Sequence, residues 1–260
     1  MRNVWIIALK ELNGYFRSPI AYIILGAFAL TFGYFFYFQY LGPFVVANLS
    51  AAQYAQMYGR PLPLNVNEMV IRPMIFLVGL IGLFLVPMIT MRLFAEEKKT
   101  GTIELLMTSP ITDLQLILGK FLGALMLYMS LLLLTVLYLL ILFWYGNPDW
   151  KPVVTGYLGL LLLGGSYLSL GMFISTLTRN QFVAAVLTFL PLLVLWVLGG
   201  SSEYSSGTAA QVATYLSIIG HMSNFAKGVI DLKDTVYYLT VIALGVFLTA
   251  RSLESVRWRA

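Results

Sequence analysis

Residues 92–110 read Arg92-Leu93-Phe94-Ala95-Glu96-Glu97-Lys98-Lys99-Thr100-Gly101-Thr102-Ile103-Glu104-Leu105-Leu106-Met107-Thr108-Ser109-Pro110, the densest cluster of charge in the chain. An apolar run lies on each side of it, from about Pro73 to Met91 and from about Phe121 to Tyr145. About 20 apolar residues suffice for a helix to cross the hydrocarbon core of a bilayer. The charged stretch must therefore lie at a membrane surface, between two spans.

Composition supports this reading. Hydrophobic residues make up 60% of the 260 and charged residues 10%, where a soluble domain carries roughly 25% charged residues. The chain has room for about six spans of ~20 residues with connecting loops, and we expect one all-α membrane domain over residues 1–260. The formal charge of +5 fits cytoplasmic loops and lipid headgroups better than nucleic acid, which is not expected as a partner. With no cysteine, disulfides, thiolate metal sites and cysteine nucleophiles are excluded.

Outward from the charged stretch, the organisation is legible in order. Residues 1–18 carry Trp5, Leu9, Leu12 and Phe16 at helical spacing, which predicts a helix lying in the interface plane; a positively charged flank of the first span is the alternative. The first span is expected over about 20–41, too long for a signal peptide, and residues 42–72 are read as an external loop with a short surface helix over Ser50–Tyr58. The second span covers about 73–91, and residues 92–118 form a cytoplasmic loop. Thr112-Asp113-Leu114-Gln115 fits a capping box that opens the third span. Gly146 to Pro152 is a turn, the fourth span follows to about Leu177, and the fifth covers about 182–198. Between 201 and 234 the chain is too polar for a span, yet Val212, Tyr215, Leu216 and Ile219 share one helical face, predicting an external amphipathic or re-entrant segment. The sixth span covers about 235–250.

Lysine and arginine set the orientation. Arg2, Lys10, Arg17, Arg92, Lys98, Lys99, Lys120, Arg179, Arg251, Arg257 and Arg259 fall on one side, and Arg60, Arg72, Lys151, Lys227 and Lys233 on the other. The positive-inside rule puts the first group, both termini and the charged stretch in the cytoplasm.

Energy for transport has to come from outside the chain. The cores of the six expected spans contain no Asp, Glu, Lys, Arg or His, which disfavours a proton-coupled carrier, though sodium sites built from carbonyls and hydroxyls stay open. The Gly119-Lys120 pair has Leu114 where a phosphate loop needs its first glycine and Phe121 where it needs Ser or Thr. If ATP drives the protein, another polypeptide binds it. Catalysis has little support: His221, the one histidine, follows Ser217 by four residues, a weak hint of an intramembrane hydrolase, and is read as an external-surface or helix-packing residue.

The run from Arg92 through Pro110 and Ile111, followed by Gly119-Lys120, resembles the signature of ABC-2-type exporter permeases. The tail from Asn224 to Leu239 resembles the gliding-motility (Gld) permease branch, with the permeases of nitrous oxide reductase maturation as relatives. The resemblance covers nearly the whole chain. It implies a multi-pass subunit of the bacterial cytoplasmic (inner) membrane that exports by alternating access, paired with a second copy or a paralogue. Each subunit would rest on a separate ABC ATPase holding ATP and Mg, with no cofactor, metal or catalytic residue in this chain. It also implies that the loop after the second span is a coupling helix, with Glu96, Gly101, Thr102 and Glu104 matching the motif. In that role Glu96 and Glu97 can pair with basic residues of the ATPase, and Lys98 and Lys99 with acidic ones. Gly101, beside Thr100 and Thr102, breaks the helix, and Ile103, Leu105 and Leu106 offer an apolar ridge. A solvated loop is the plain alternative. The gliding resemblance permits another role, force transmission to an envelope protein with an external domain and no solute moved.

Overall fold

A computed structural model describes residues 2–60, 64–103, 111–145, 148–199 and 208–257. Among them every regular element is a helix. The most buried span is α7 (Trp150–Ser175), and α4 (Arg72–Thr90), α6 (Asp113–Tyr145), α8 (Gln181–Val197) and α11 (Leu232–Arg257) pack around it. Small residues make these approaches possible, as in membrane bundles generally. A Cβ on Gly245 of α11 would lie 2.7 Å from the backbone carbon of Ser169 on α7. Across the same contact, Ser166 and Ser169 donate to the carbonyls of Tyr238 and Val241.

Among the described residues, five segments are long and apolar enough to cross a membrane: Ala21–Tyr58, Asn67–Thr100, Asp113–Trp144, Trp150–Ser175 and Leu232–Ser255. The expected fifth span is α8, an apolar helix of 17 residues, about 25 Å long. It opens on Asn180, whose side chain accepts from the N–H groups of Phe182 and Val183. The capping box is present too: Thr112 Oγ1 accepts from Gln115 N, and Gln115 Oε1 accepts from Thr112 N.

The external loop expected over 42–72 is largely helix. From Pro19 the chain runs through α2 (Pro19–Phe35), a π-turn (Phe36–Leu41) and α3 (Gly42–Tyr58). Gly42-Pro43 reads as a break in sequence, because proline removes a donor and its ring crowds the preceding turn. Here the widened turn accommodates it: Gly42 N bonds Tyr37 O, five residues back. A second π-turn, Asn67–Ile71, precedes Arg72-Pro73 in the same way, with Arg72 N bonding Asn67 O, and the two turns touch. The 38 residues from Ala21 to Tyr58 make a helix of about 57 Å, against a hydrocarbon core of ~30 Å.

The segment expected over 201–234 contains α9 (Thr208–Leu216) and α10 (Met222–Ala226), while 201–207 lie outside the described residues. Val212, Tyr215 and Leu216 are exposed on α9, and Ile219 falls in the turn beyond it. That turn is held by α11, where Tyr237 and Tyr238 hydroxyls donate to the carbonyls of Leu216 and Ile218.

The glycine contacts give a test of the packing. Gly245→Ala destabilises the protein by about 1–3 kcal/mol, the cost of overpacking a tight contact. Gly26→Ala, whose Cβ meets nothing within 4 Å, costs nothing and gains helix propensity. Thermal unfolding of the two variants in nanodiscs should rank them in that order.

Candidate functional site

The charged stretch folds back against three helices. After α4 the chain turns through residues 91–94 into α5 (Ala95–Thr100), which ends at Gly101 with φ of 73°. That left-handed conformation is costly for residues with a Cβ, so the expected break at Gly101 is present. Phe94, the residue before α5, supplies no side-chain cap; the cap comes from α7. Ser175 Oγ accepts from the N–H groups of Phe94 and Ala95, both at 3.1 Å, and donates to Met91 O. One hydroxyl thus satisfies two of the free donors of the α5 N-terminus. Lys98 donates to the carbonyl of Thr176, one residue beyond α7.

On its other side, α5 meets α1 (Arg2–Arg17) and α6. Lys120 of α6 has a side chain only 2% exposed, with its Nζ 2.8 Å from Glu11 Oε1 of α1 and 2.6 Å from Glu97 Oε1 of α5. The same ammonium lies 5.3 Å from the Phe94 ring centroid, close enough for a cation–π contribution. Arg92 pairs with Glu96 at 2.9 Å and reaches Ser18 Oγ. Tyr15, buried on α1, donates to Ile89 O near the end of α4. Together these groups wall a cleft of about 320 Å³ lined by Lys10, Glu11, Gly14, Tyr15, Arg92, Glu96, Glu97, Thr100, Thr102 and Lys120.

The position of α1 explains how Glu11 reaches Lys120. A Cβ on Gly119 would lie 2.6 Å from Ile7 Cβ, and one on Gly123 would lie 3.0 Å from Ala8 O. The two glycines, four residues apart, make a groove in α6 that seats the backbone of α1. The stripe facing α6 therefore runs through Ile7, Ala8 and Glu11, and Tyr15, one turn on, reaches α4 instead. Trp5 and Leu9, expected on the membrane face, remain exposed on the adjacent side, available to lipid, so α1 is both an amphipathic helix and a docked one.

Of the site residues read from sequence, Glu96, Glu97, Lys98, Lys99, Thr100, Gly101, Thr102 and Ile103 are described, and Glu104, Leu105 and Leu106 lie outside the described residues. Glu97 and Lys98 make bonds inside the chain where the sequence reading offered them to a partner. Lys99, Thr100, Gly101 and Thr102 are exposed, whereas Ile103, expected on an apolar ridge facing the partner, is buried in the core of the chain itself. Glu11, Ser175 and the pairing role of Lys120 are absent from that reading. The small residues that let Glu11 and Lys120 meet, in Gly119-Lys120-x-x-Gly123 and Ala8-x-x-Glu11, can be read in the sequence, but their pairing cannot, and Ser175 has no signal there.

A different cluster lies where α9, α10 and α11 meet. His221 is buried, with Nδ1 2.6 Å from Asp234 Oδ1 and Nε2 3.0 Å from Tyr215 O, and it stacks on Tyr237 at 3.9 Å. Asn224 donates to the second oxygen of Asp234. Ser217 accepts from Gly220 N, and neither ring nitrogen of His221 contacts it. His221 is thus a helix-packing residue that fastens α10 to α11, without the serine contact an intramembrane hydrolase needs.

Residues 5–230 match the family described as ABC-2 family transporter protein. The chain belongs to that family. It is accordingly a multi-pass membrane permease subunit of an ABC transporter, and the family implies an ABC ATPase partner. Among curated proteins, none matches the chain significantly. An ABC-2 permease is a membrane subunit; the described residues of this one contain no group of three His, Cys, Asp or Glu placed to hold a metal.

Removing the shared cation tests the cluster. Lys120→Met leaves Glu11 and Glu97 facing each other without compensation and destabilises the protein by about 3 kcal/mol, the usual cost of breaking a buried pair. Adding Glu11→Gln and Glu97→Gln to that variant recovers most of the loss. Thermal unfolding of the single and triple variants reads the difference.

Proposed function

We propose that this ABC-2 permease is a six-span subunit of an ATP-driven exporter, with α8 as its fifth span and both termini in the cytoplasm of a bacterium. It works as a dimer with a second copy or a paralogue, on ATPase subunits that hold ATP and Mg. Residues 92–118 are its coupling element. The observation that carries the reading is the attachment of α5 to three separate helices: to α7 through Ser175 and Lys98, to α6 through Lys120, and through Lys120 also to α1. A segment so fastened cannot shift alone. When the ATPase subunits close and push it, the displacement passes to the central helix of the bundle and to α6 and α1, and rocks the permease between inward-facing and outward-facing states.

Within this element the described residues take distinct tasks. Glu97 and Lys98 transmit, because their bonds run into the bundle. Glu96, Lys99, Thr100, Gly101 and Thr102 lie nearer solvent and supply the contact face, continued by Glu104, Leu105 and Leu106, while Ile103, buried in the core, anchors the turn beyond Gly101.

A second reading is favoured by the long α2–α3 helix, which exceeds the bilayer by about 25 Å and has no charged residue over Gly42–Tyr58. As a protruding lever it suits force transmission to an external envelope partner, in keeping with the Asn224–Leu239 resemblance to gliding-type permeases. Crosslinking from Tyr54 or Tyr58 to an envelope protein, with no cargo moved in reconstituted vesicles, would select this reading over export.

The coupling role has a direct test. Gly101→Val forces a β-branched residue into the left-handed region at a cost of about 1–2 kcal/mol, a factor of about 5–30 in an equilibrium. Permease-stimulated ATP hydrolysis in the purified complex should fall by that order in Gly101→Val and drop in Glu104→Ala. Wild-type stimulation in both variants would refute the coupling assignment.

A further inference from the structure

His221, the one histidine of the chain, is closed off where α9, α10 and α11 meet, only 5% exposed. Each of its ring nitrogens faces a group that accepts. Nδ1 lies 2.6 Å from Asp234 Oδ1 and Nε2 lies 3.0 Å from the Tyr215 carbonyl oxygen, while the second Asp234 oxygen accepts from Asn224. A neutral imidazole has one N–H and one bare nitrogen. Beside an ionised Asp234 it would leave one contact with lone pair against lone pair, in a place where an unmatched polar group is costly. An imidazolium donates to both. The surroundings suit a cation as well: Tyr215 is in the last turn of α9, where free carbonyls carry partial negative charge, and the Tyr237 ring stacks on the imidazole at 3.9 Å. Also around the ring are Tyr238 of α11, edge-on at 6.3 Å, and the Tyr215 ring at 5.8 Å, with Lys233 of α11 over the Tyr215 face. Tyr167 of α7 acts electrostatically on Tyr237 and Tyr238 behind them.

We propose that His221 is held as an imidazolium and that its second ring proton is a latch, which joins the end of α9 to the Asp234 carboxylate of α11 through one ring. The fastened form holds one proton more than the loosened form, so raising the pH favours loosening. With a single N–H left, the ring keeps the carboxylate, the stronger acceptor, and gives up the Tyr215 carbonyl. The Tyr237 hydroxyl still holds Leu216 O, so α9 pivots about its C-terminal end. Little else restrains it: α9 packs only lightly on the rest of the bundle, with Val212, Tyr215 and Leu216 exposed. The device stands apart from the export and coupling roles and needs neither.

A single histidine and no cysteine make both halves of the proposal readable in the full chain. The protein is purified through a tag without histidine, labelled with nitrogen-15 histidine and placed in nanodiscs, and the ring nitrogens are followed by NMR. A second sample carries spin labels at Val212→Cys on α9 and Leu239→Cys on α11, both exposed positions, for distance measurement. At about pH 6 both ring nitrogens should carry hydrogen. As the pH rises one N–H coupling is lost, and over the same interval the label distance lengthens and broadens. A bare nitrogen at about pH 6, with the proton on Asp234 instead, would overturn the proposal. So would a distance that ignores the loss of the proton, or an imidazolium that persists until the protein unfolds. His221→Phe keeps a ring against Tyr237, and His221→Gln keeps a polar side chain, but neither titrates. The distance in each should no longer respond to pH over that interval; a response that survives in either variant belongs to another group and equally overturns the latch.

Discussion

The Lys120 ammonium, held between Glu11 and Glu97, is the constraint on which the packing of α1, α5 and α6 depends. A buried cation is strongly disfavoured unless its charge is met nearby, so the two carboxylates must come to it. Glu11 brings α1, and Glu97 brings α5. Once those contacts form, the path of the chain after α4 has little freedom, and Ser175 closes it by capping α5 from the end of α7. A loop that is a run of charges in sequence becomes a fastened piece of the bundle.

In the coupling role proposed for it, this stretch needs two properties that pull against each other. It must expose enough polar surface to meet a soluble partner, and it must be joined firmly enough to pass on a displacement. The chain separates the two by position. Glu97 and Lys98 turn inward, while Lys99, Thr100, Gly101 and Thr102 turn outward, and the left-handed Gly101 ends the helix. Arg92 and Glu96 sit at the border and line the cleft.

At the other end of the bundle the same logic uses different chemistry. Tyrosine hydroxyls and the His221–Asp234 pair fasten the chain between α9 and α11, where a polar contact is sheltered from water. The long α2–α3 helix has no comparable fastening along α3. Its two ends differ accordingly: α2 packs on α6 and α4, and α3 extends past the π-turn with exposed Val45, Val46, Leu49, Met57 and Tyr58.

Much of this was legible in the sequence because bilayer physics acts locally. Apolar length, the capping box at Thr112 and the glycine at 101 each act through near neighbours in the chain, and they marked the apolar helices, the start of α6 and the bend. Two features misled for an equally local reason: Gly42-Pro43 is a break in an ordinary helix and is absorbed by a π-turn, and the amphipathic pattern of residues 1–18 marks the lipid side while hiding the stripe that docks. What only the tertiary structure decided is which charges are spent inside the chain. Lys120, Glu11 and Glu97 are separated by up to 109 residues, and nothing in the spacing of one fixes the position of another. Their meeting depends on two glycines of α6 letting α1 approach, so a partner-facing acid and an internal one look alike in sequence and differ only in the folded chain.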